Sequence, residues 1–249
     1  MDNNYIRAAK IAHKFRFKSS KNMTWQIKWK PICGTTESDL SKWLDQKPSL
    51  QIYPKAVIAA RQNHGIGQNG NVWESAKGGI WISAAFPIEK EVKSPQLLRL
   101  TIALALAKRL EYRNIPVKIK WPNDLYLNNK KLGGILSRLI HRGGNIRMGR
   151  IGIGLNICNR TPKEGISLYR FTYPKYQNIA DWGSEVLMAI DEGRELLLSR
   201  DYVCKEVRKR LLNDQLKDPN TGNMLEVKYV DQNGFLVLQK DKYRTIWRS

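Results

Sequence analysis

The segment Lys120–Leu136, KWPNDLYLNNKKLGGIL, places a carboxylate, two adjacent lysines and two adjacent glycines within one apparent hairpin. Pro122 sets a corner, and its ring holds the preceding Trp121 in extended backbone. Asn123 and Asp124 follow where side chains can aim away from a sheet. Lys131 is a compact cation suited to a carboxylate or a phosphate. Gly133 and Gly134 leave the strand backbone open to close approach by a ligand. Together these residue types suit the holding of a small anion. A solvated hairpin with a charged tip is the competing reading, and the segment alone does not separate the two.

Two further segments carry the same ambiguity. Arg61–Ser75, RQNHGIGQNGNVWES, has Gly65, Gly67 and Gly70 in G-x-G-x-x-G spacing. In a dinucleotide fold that motif closes a strand and opens a helix. Here it follows the apolar run Ala56–Ala60, but Gly70 leads into a second strand, so the dinucleotide reading is rejected. What stays open is a flexible glycine loop whose backbone N–H groups wrap an anion, or an ordinary surface loop. Arg150–Asn159, RIGIGLNICN, has Gly152 and Gly154 interrupting one face of a buried strand. Glycines weaken a strand unless something approaches closely or a bulge requires them. The Asn156 amide could pair with a base edge or a phosphate.

In this order the segments resemble the biotin–protein ligases. The motifs appear here as GTTESDL, GIGQNGNVWES, KWPNDLYLNNKKLGGIL and GIGLNICN, over about residues 25–200. The resemblance implies an α+β fold: a mixed, mostly antiparallel sheet with helices on one side, of the class II synthetase-like biotin/lipoate ligase type. It implies a catalytic domain over residues 1–217 and a small SH3-like β module over 218–249. It also implies two chemical steps. The carboxylate of biotin attacks the α-phosphate of ATP, with Mg²⁺, to give biotinyl-5'-AMP; a lysine of a biotin carboxyl carrier protein then takes the acyl group. Lys131 and Asp124 match the catalytic pair. Thr35, Thr36, Gln62, Gly65, Gly134 and Gly152, with Lys131, match biotin contacts. Gly67, Gln68, Trp73, Asn123 and Asn156 match nucleotide contacts, and no protein-bound metal is implied. A lipoate–protein ligase-like acyltransferase is the alternative within the fold. The sequence departs from the family pattern at Ile66, Gln68, Asn69 and Asn71, where arginines are usual, and at Glu37, where asparagine is usual. Arg61 is a candidate to replace the missing charge.

These residues need elements to position them. Trp25–Trp29 reads as a strand, and Thr36 as the N-cap of a helix carrying Leu40, Trp43 and Leu44. Gly78–Phe86 reads as a strand. Ser94-Pro95 opens a helix running to about Tyr112. Val117–Trp121 alternates as a half-buried strand, Asn128-Asn129 marks a turn, and Ile135–Ile140 and Met148–Ile157 continue the sheet. Trp182–Leu212 is helical with a break near Ser199. Beyond Asp218, three short strands follow with a turn at Asn233-Gly234. Residues 1–23 read as a basic arm or an edge strand, too short for a helix-turn-helix module, so no specific DNA binding is expected.

With 249 residues, 42% of them hydrophobic, the chain has material for a real core. A net charge of +21 favours anionic partners or simple solubility. A basic nucleic-acid-binding protein is the reading outside enzymes, but the charge is spread along the chain. Three scattered cysteines give neither a zinc spacing nor a disulfide framework. With no apolar signal segment or span, a cytoplasmic, membrane-free location is expected. A homodimer is left open.

Overall fold

Two sheets organise the chain. The computed structural model describes residues 3–19, 24–46, 53–88, 94–142, 145–171, 178–218, 221–240 and 243–247. The large sheet contains β1 (Gln26–Lys30), β2 (Lys55–Ala59), β3 (Ile80–Pro87), β4 (Lys118–Lys120), β5 (Asp124–Leu127), β6 (Lys130–Arg142) and β7 (Asn145–Leu155). Its strand order is β1-β2-β3-β7-β6-β5-β4. Only β1 and β2 run parallel; the remaining neighbours are antiparallel. The mixed, mostly antiparallel sheet is therefore as expected.

Helices α1 (Asn3–Lys18), α3 (Pro95–Glu111) and α4 (Ile179–Leu196) cover one face. Strand alternation shows this directly. Ala56, Ile58, Ala84 and Phe86 pack into the core beneath those helices. Val57 and Ala85 point the other way, onto Leu40 and Leu44 of α2 (Thr36–Gln46). The helices are thus not confined to one side. Because α2 packs on β2 and β3, the opposite face stays uncovered over β6 and β7, and the cavity described below forms there.

Residues 1–23 were expected as an arm or an edge strand; the described part is instead a docked helix. Ala8, Ile11 and Phe15 fall on one helical stripe and are buried. The basic residues that make the segment look like a solvated run occupy the rest of the surface. Two of them are used for docking: Lys14 reaches Asp181 at 2.8 Å and Lys18 reaches Glu185 at 2.7 Å. The start of α2 also shifts by one residue. Thr35, not Thr36, caps it, its Oγ1 accepting from Ser38 N at 2.9 Å. Thr36 is the first helical residue, and its hydroxyl is free to turn inward. At α3, Ser94 caps as expected, accepting from Leu97 N at 3.2 Å.

After α4 the chain breaks at Leu197–Ser199 and continues as α5 (Arg200–Arg210). The second sheet has four strands where three were expected: β8 (Gln215–Lys217), β9 (Met224–Val230), β10 (Leu236–Lys240) and β11 (Tyr243–Trp247), ordered β11-β10-β9-β8. The missed strand, β8, is only three residues long and precedes Asp218, so the sheet begins at Gln215. Its β9–β10 turn seats on the large domain. Ser94 Oγ donates to Asn233 O at 2.7 Å, and Trp121 Nε1 donates to Gly234 O at 2.9 Å. Leu225, Val227, Leu236 and Leu238 belong to the same apolar cluster as α3. No helix among the described residues is long and apolar enough to cross a membrane.

Candidate active site

On the open face, Gly134 of β6 lies opposite Gly154 of β7, and Leu136 opposite Gly152, which also faces Ser83 of β3. These residues line a cavity of about 510 Å³. The start of α2 supplies Thr35 and Thr36 to its wall, and the segment after β2 supplies Gln62. The glycine loop adds Gly67, Gln68 and Trp73, and the β4–β6 hairpin adds Asn123, Asp124 and Lys131.

One part of the wall is a neutral polar network. Gln62 Oε1 accepts from Thr36 N at 2.7 Å and from Thr36 Oγ1 at 3.1 Å. The Thr36 and Ser83 hydroxyl oxygens are 2.8 Å apart, and Gln62 Nε2 donates to Ser75 Oγ at 2.8 Å. Gln62 is held in place because its backbone bridges both Cys33 and Ser75. Residue types that could both donate and accept thus converge on one spot. The inward turn of Thr36 follows from the capping shift.

The other part is ionic. Asp124 faces Gly134 across the β5–β6 ladder, and a register shift after Leu125 sets Lys131 against Tyr126. Lys131 Nζ lies 2.7 Å from Asp124 Oδ2. Burial pushes the Asp124 carboxyl above its ordinary value, while the hydrogen bond and charge of Lys131 work against that rise. Asp124 Oδ1 is buried without a hydrogen-bond partner among the described residues. Lys131 also sits 4.9 Å from the centre of the Trp73 ring, a cation–π contact.

The glycines of the floor accommodate a side chain. A Cβ on Gly154 would stand 2.5 Å from Trp73 Nε1, and one on Gly134 would stand 3.2 Å from the same ring. Trp73 therefore lies on the bare backbone of both strands. Its Nε1 is buried and has no partner among the described residues.

Four of the expected features are placed as follows. Three N–H groups of the glycine loop are used within it: Gly67 N donates to Asn71 O, Asn71 N to Gln68 O and Trp73 N to Gly65 O. It is a closed hairpin with a short 3-10 turn at Gln68–Gly70. Gly65 does not line the cavity; it is pressed against the neighbouring strand, where a Cβ would meet Trp73 O at 2.3 Å. Asn156 is also outside the lining. It follows the end of β7, is 5% exposed, and accepts from Asn159 Nδ2 at 2.9 Å. Its backbone N donates to Leu132 O at 3.0 Å, so it braces the strand behind Lys131. Arg61 is likewise absent from the lining.

Sequence reasoning missed Ser83, Arg138 and Arg150, all of which line the cavity. Ser83 had a signal, as the hydroxyl in the apolar run IWISAAFP. Arg150 explains Glu37: the two make an ion pair at 3.0 Å, and Arg150 also donates to Glu37 O at 3.2 Å and Ser41 Oγ at 2.8 Å. No cluster of three His, Cys, Asp or Glu side chains able to hold a metal occurs among the described residues.

The sheet and its cavity define an α+β domain. Residues 38–156 match the model of the biotin/lipoate A/B protein ligase family. It is 34% identical over 143 residues to Biotin–protein ligase 2 of Arabidopsis thaliana, covering 54% of this chain and 41% of that protein. It is 26% identical over 235 residues to the chloroplastic Biotin–protein ligase 1 of the same plant, covering 86% of this chain and 62% of that protein. The chain therefore spans less than two thirds of the length of these relatives. In fold it is similar to a biotin protein ligase from Aquifex aeolicus, solved in complex with biotin and ATP. That match has a TM-score of 0.68 at 21% identity and covers 90% of this chain and 96% of that one.

Proposed function

We propose that this chain is an ATP-dependent biotin–protein ligase. It forms biotinyl-5'-AMP and passes the biotinyl group to a lysine of a biotin carboxyl carrier protein. The observation that carries this reading is the cavity itself, with a neutral polar network at Thr36, Gln62 and Ser83 and an ion pair at Lys131 and Asp124. The network suits a ureido ring, which presents both N–H donors and a carbonyl acceptor. It suits the apolar dithiolane of lipoate less well, since such a ring would leave buried polar groups unpaired.

In the first step a carboxylate oxygen of biotin attacks the α-phosphorus of ATP. The bond to the bridging oxygen breaks and pyrophosphate leaves. Two anions must meet, and Lys131 stabilises the charge that builds between them. ATP brings Mg²⁺ as the counter-ion of its phosphates; this chain offers no protein cage for it among the described residues. In the second step the acceptor amine attacks the acyl carbon and AMP leaves. Asp124, whose carboxyl is raised by burial, takes the proton that the amine loses. The polar wall holds the ring, and Trp73 must yield the floor over Gly134 and Gly154 to the ligand.

The test is incubation of the full chain with biotin and ATP, following pyrophosphate release and the adenylate by mass spectrometry. Transfer is then read with a carboxyl carrier domain as acceptor. Absence of adenylate with biotin, alongside its formation with lipoate, would replace this reading with that of a lipoate–protein ligase.

A further inference from the structure

Five charged residues line the cavity: Glu37, Asp124, Lys131, Arg138 and Arg150. They are not spread evenly. Asp124 is committed to Lys131 at 2.7 Å, and Glu37 to Arg150 at 3.0 Å. Arg138 has no carboxylate partner among the described residues. It stands directly opposite Arg150 across the β6–β7 ladder. Like charges directly opposed on one face of a sheet destabilise it. Glu37 offsets one of the two, and the surplus positive charge remains at this end.

The donors at this end are under-used as well. Arg150 Nε is buried and has no acceptor among the described residues. Its other nitrogen is held by Ser41 Oγ and Glu37 O, which fix the guanidinium against α2. Ser38 lines the same end. Along β6, Arg138 lies four residues beyond Gly134, which faces Asp124; at strand rise that is ~13 Å. The cavity therefore has a cation at each end, with the neutral network of Thr36, Gln62 and Ser83 on its wall.

We infer that the end away from Lys131 is an anion subsite built by Arg138 and Arg150, and that the cavity takes an organic acid bearing a second anionic group opposite its reactive carboxylate. The inference rests on the proposed placement of the reactive carboxylate at Lys131. It adds a substrate class that the biotin reading does not contain, because biotin carries one carboxylate and a neutral ring. A planar guanidinium with free N–H groups holds a carboxylate through paired hydrogen bonds, so the subsite distinguishes an acid from its ester.

The experiment is calorimetric titration of the full chain with octanedioate and with its monomethyl ester, which keeps the length and removes one charge. The diacid is expected to bind at least tenfold more tightly than the ester. That preference should disappear in Arg138→Gln and persist in Arg138→Lys. Equal binding of the two ligands by the parent protein, or no binding of either at millimolar concentration, overturns the subsite. So does a preference that survives in Arg138→Gln. Biotin titrated in parallel keeps the two readings apart. Failure to bind biotin would count against the ligase assignment, while the diacid–ester comparison reads the subsite by itself.

Discussion

Lys131 and Asp124 hold each other at 2.7 Å, so a carboxylate bound at Lys131 as proposed must compete for a cation already in use. That competition is favourable only if the ligand gains more than Asp124 loses. Lys131→Ala should keep the fold, since Lys131 is partly exposed, and should lose adenylate formation by about two to three orders of magnitude, roughly 3–4 kcal/mol of transition-state stabilisation. A folded variant turning over at near-parent rate in a pyrophosphate assay would remove Lys131 from the chemistry. Gly134 tests the floor through bulk. A Cβ there meets Asp124 Oδ1 at 3.1 Å and the Trp73 ring at 3.2 Å, and valine adds two methyl groups beyond it. Gly134→Val should lower stability by about 1–3 kcal/mol through overpacking and weaken biotin binding at least tenfold. Calorimetry decides; parent-like affinity would show that the ligand does not use this floor.

Among the elements, α1, α3 and α4 are joined by a charge cluster beside the core. Glu185 on α4 is 4% exposed. It pairs with Lys18 at 2.7 Å, Arg109 at 2.5 Å and Arg113 at 2.5 Å. Burial acts to raise its pKa, but the Lys18 hydrogen bond and the charges of Arg109, Arg113 and Lys18 outweigh it and hold the group below its ordinary value. A depressed carboxyl contributes stability above its unfolded pKa and loses it as pH falls through the folded one. The window therefore opens at the ordinary value of 4.5 and extends downward. Glu185→Gln should cost about 2–3 kcal/mol at neutral pH, less than for a fully buried pair because the three cations keep some solvent. The difference from the parent should shrink as pH drops below that value. Urea melts at several pH values measure it; a pH-independent difference would mean that packing, not charge, accounts for the loss.

At the scale of the whole molecule, the small sheet is coupled to the site through one turn. Gly234 has φ +86°, and a Cβ there would stand 3.0 Å from Leu97 N on α3. Only glycine combines that conformation with that approach. Its carbonyl accepts from Trp121, three residues before Asp124. Gly234→Ala should destabilise the protein by roughly 1–3 kcal/mol through backbone strain and lost contact, and should loosen the Trp121–Asp124 corner. Limited proteolysis reads the undocking of residues 215–247, and a parallel fall in adenylate formation reads the corner. Stability and rate both matching the parent would show that the turn merely rests on α3.

Much of this was already legible in the chain. Strand alternation, Ser94-Pro95, the Asn128-Asn129 turn and the break near Ser199 are local signals, set by residues within one element, and they located most strands and helices. The Lys131–Asp124 pair was legible because a hairpin keeps its partners close in sequence. What failed depended on distant neighbours. Residues 3–18 needed α4 before their apolar stripe had anything to bury against. Asn156 and Gly65 sit in the quoted motifs, but their local contacts are with Asn159 and with Trp73 and Ser75, outside the cavity lining. Arg138 lies outside the quoted segments and Arg150 only opens one of them; they stand opposite each other because β6 and β7 pair in one register. Local sequence determined the elements and the hairpin chemistry, while register and layer packing, which depend on contacts across the whole sheet, decided which side chains share the cavity.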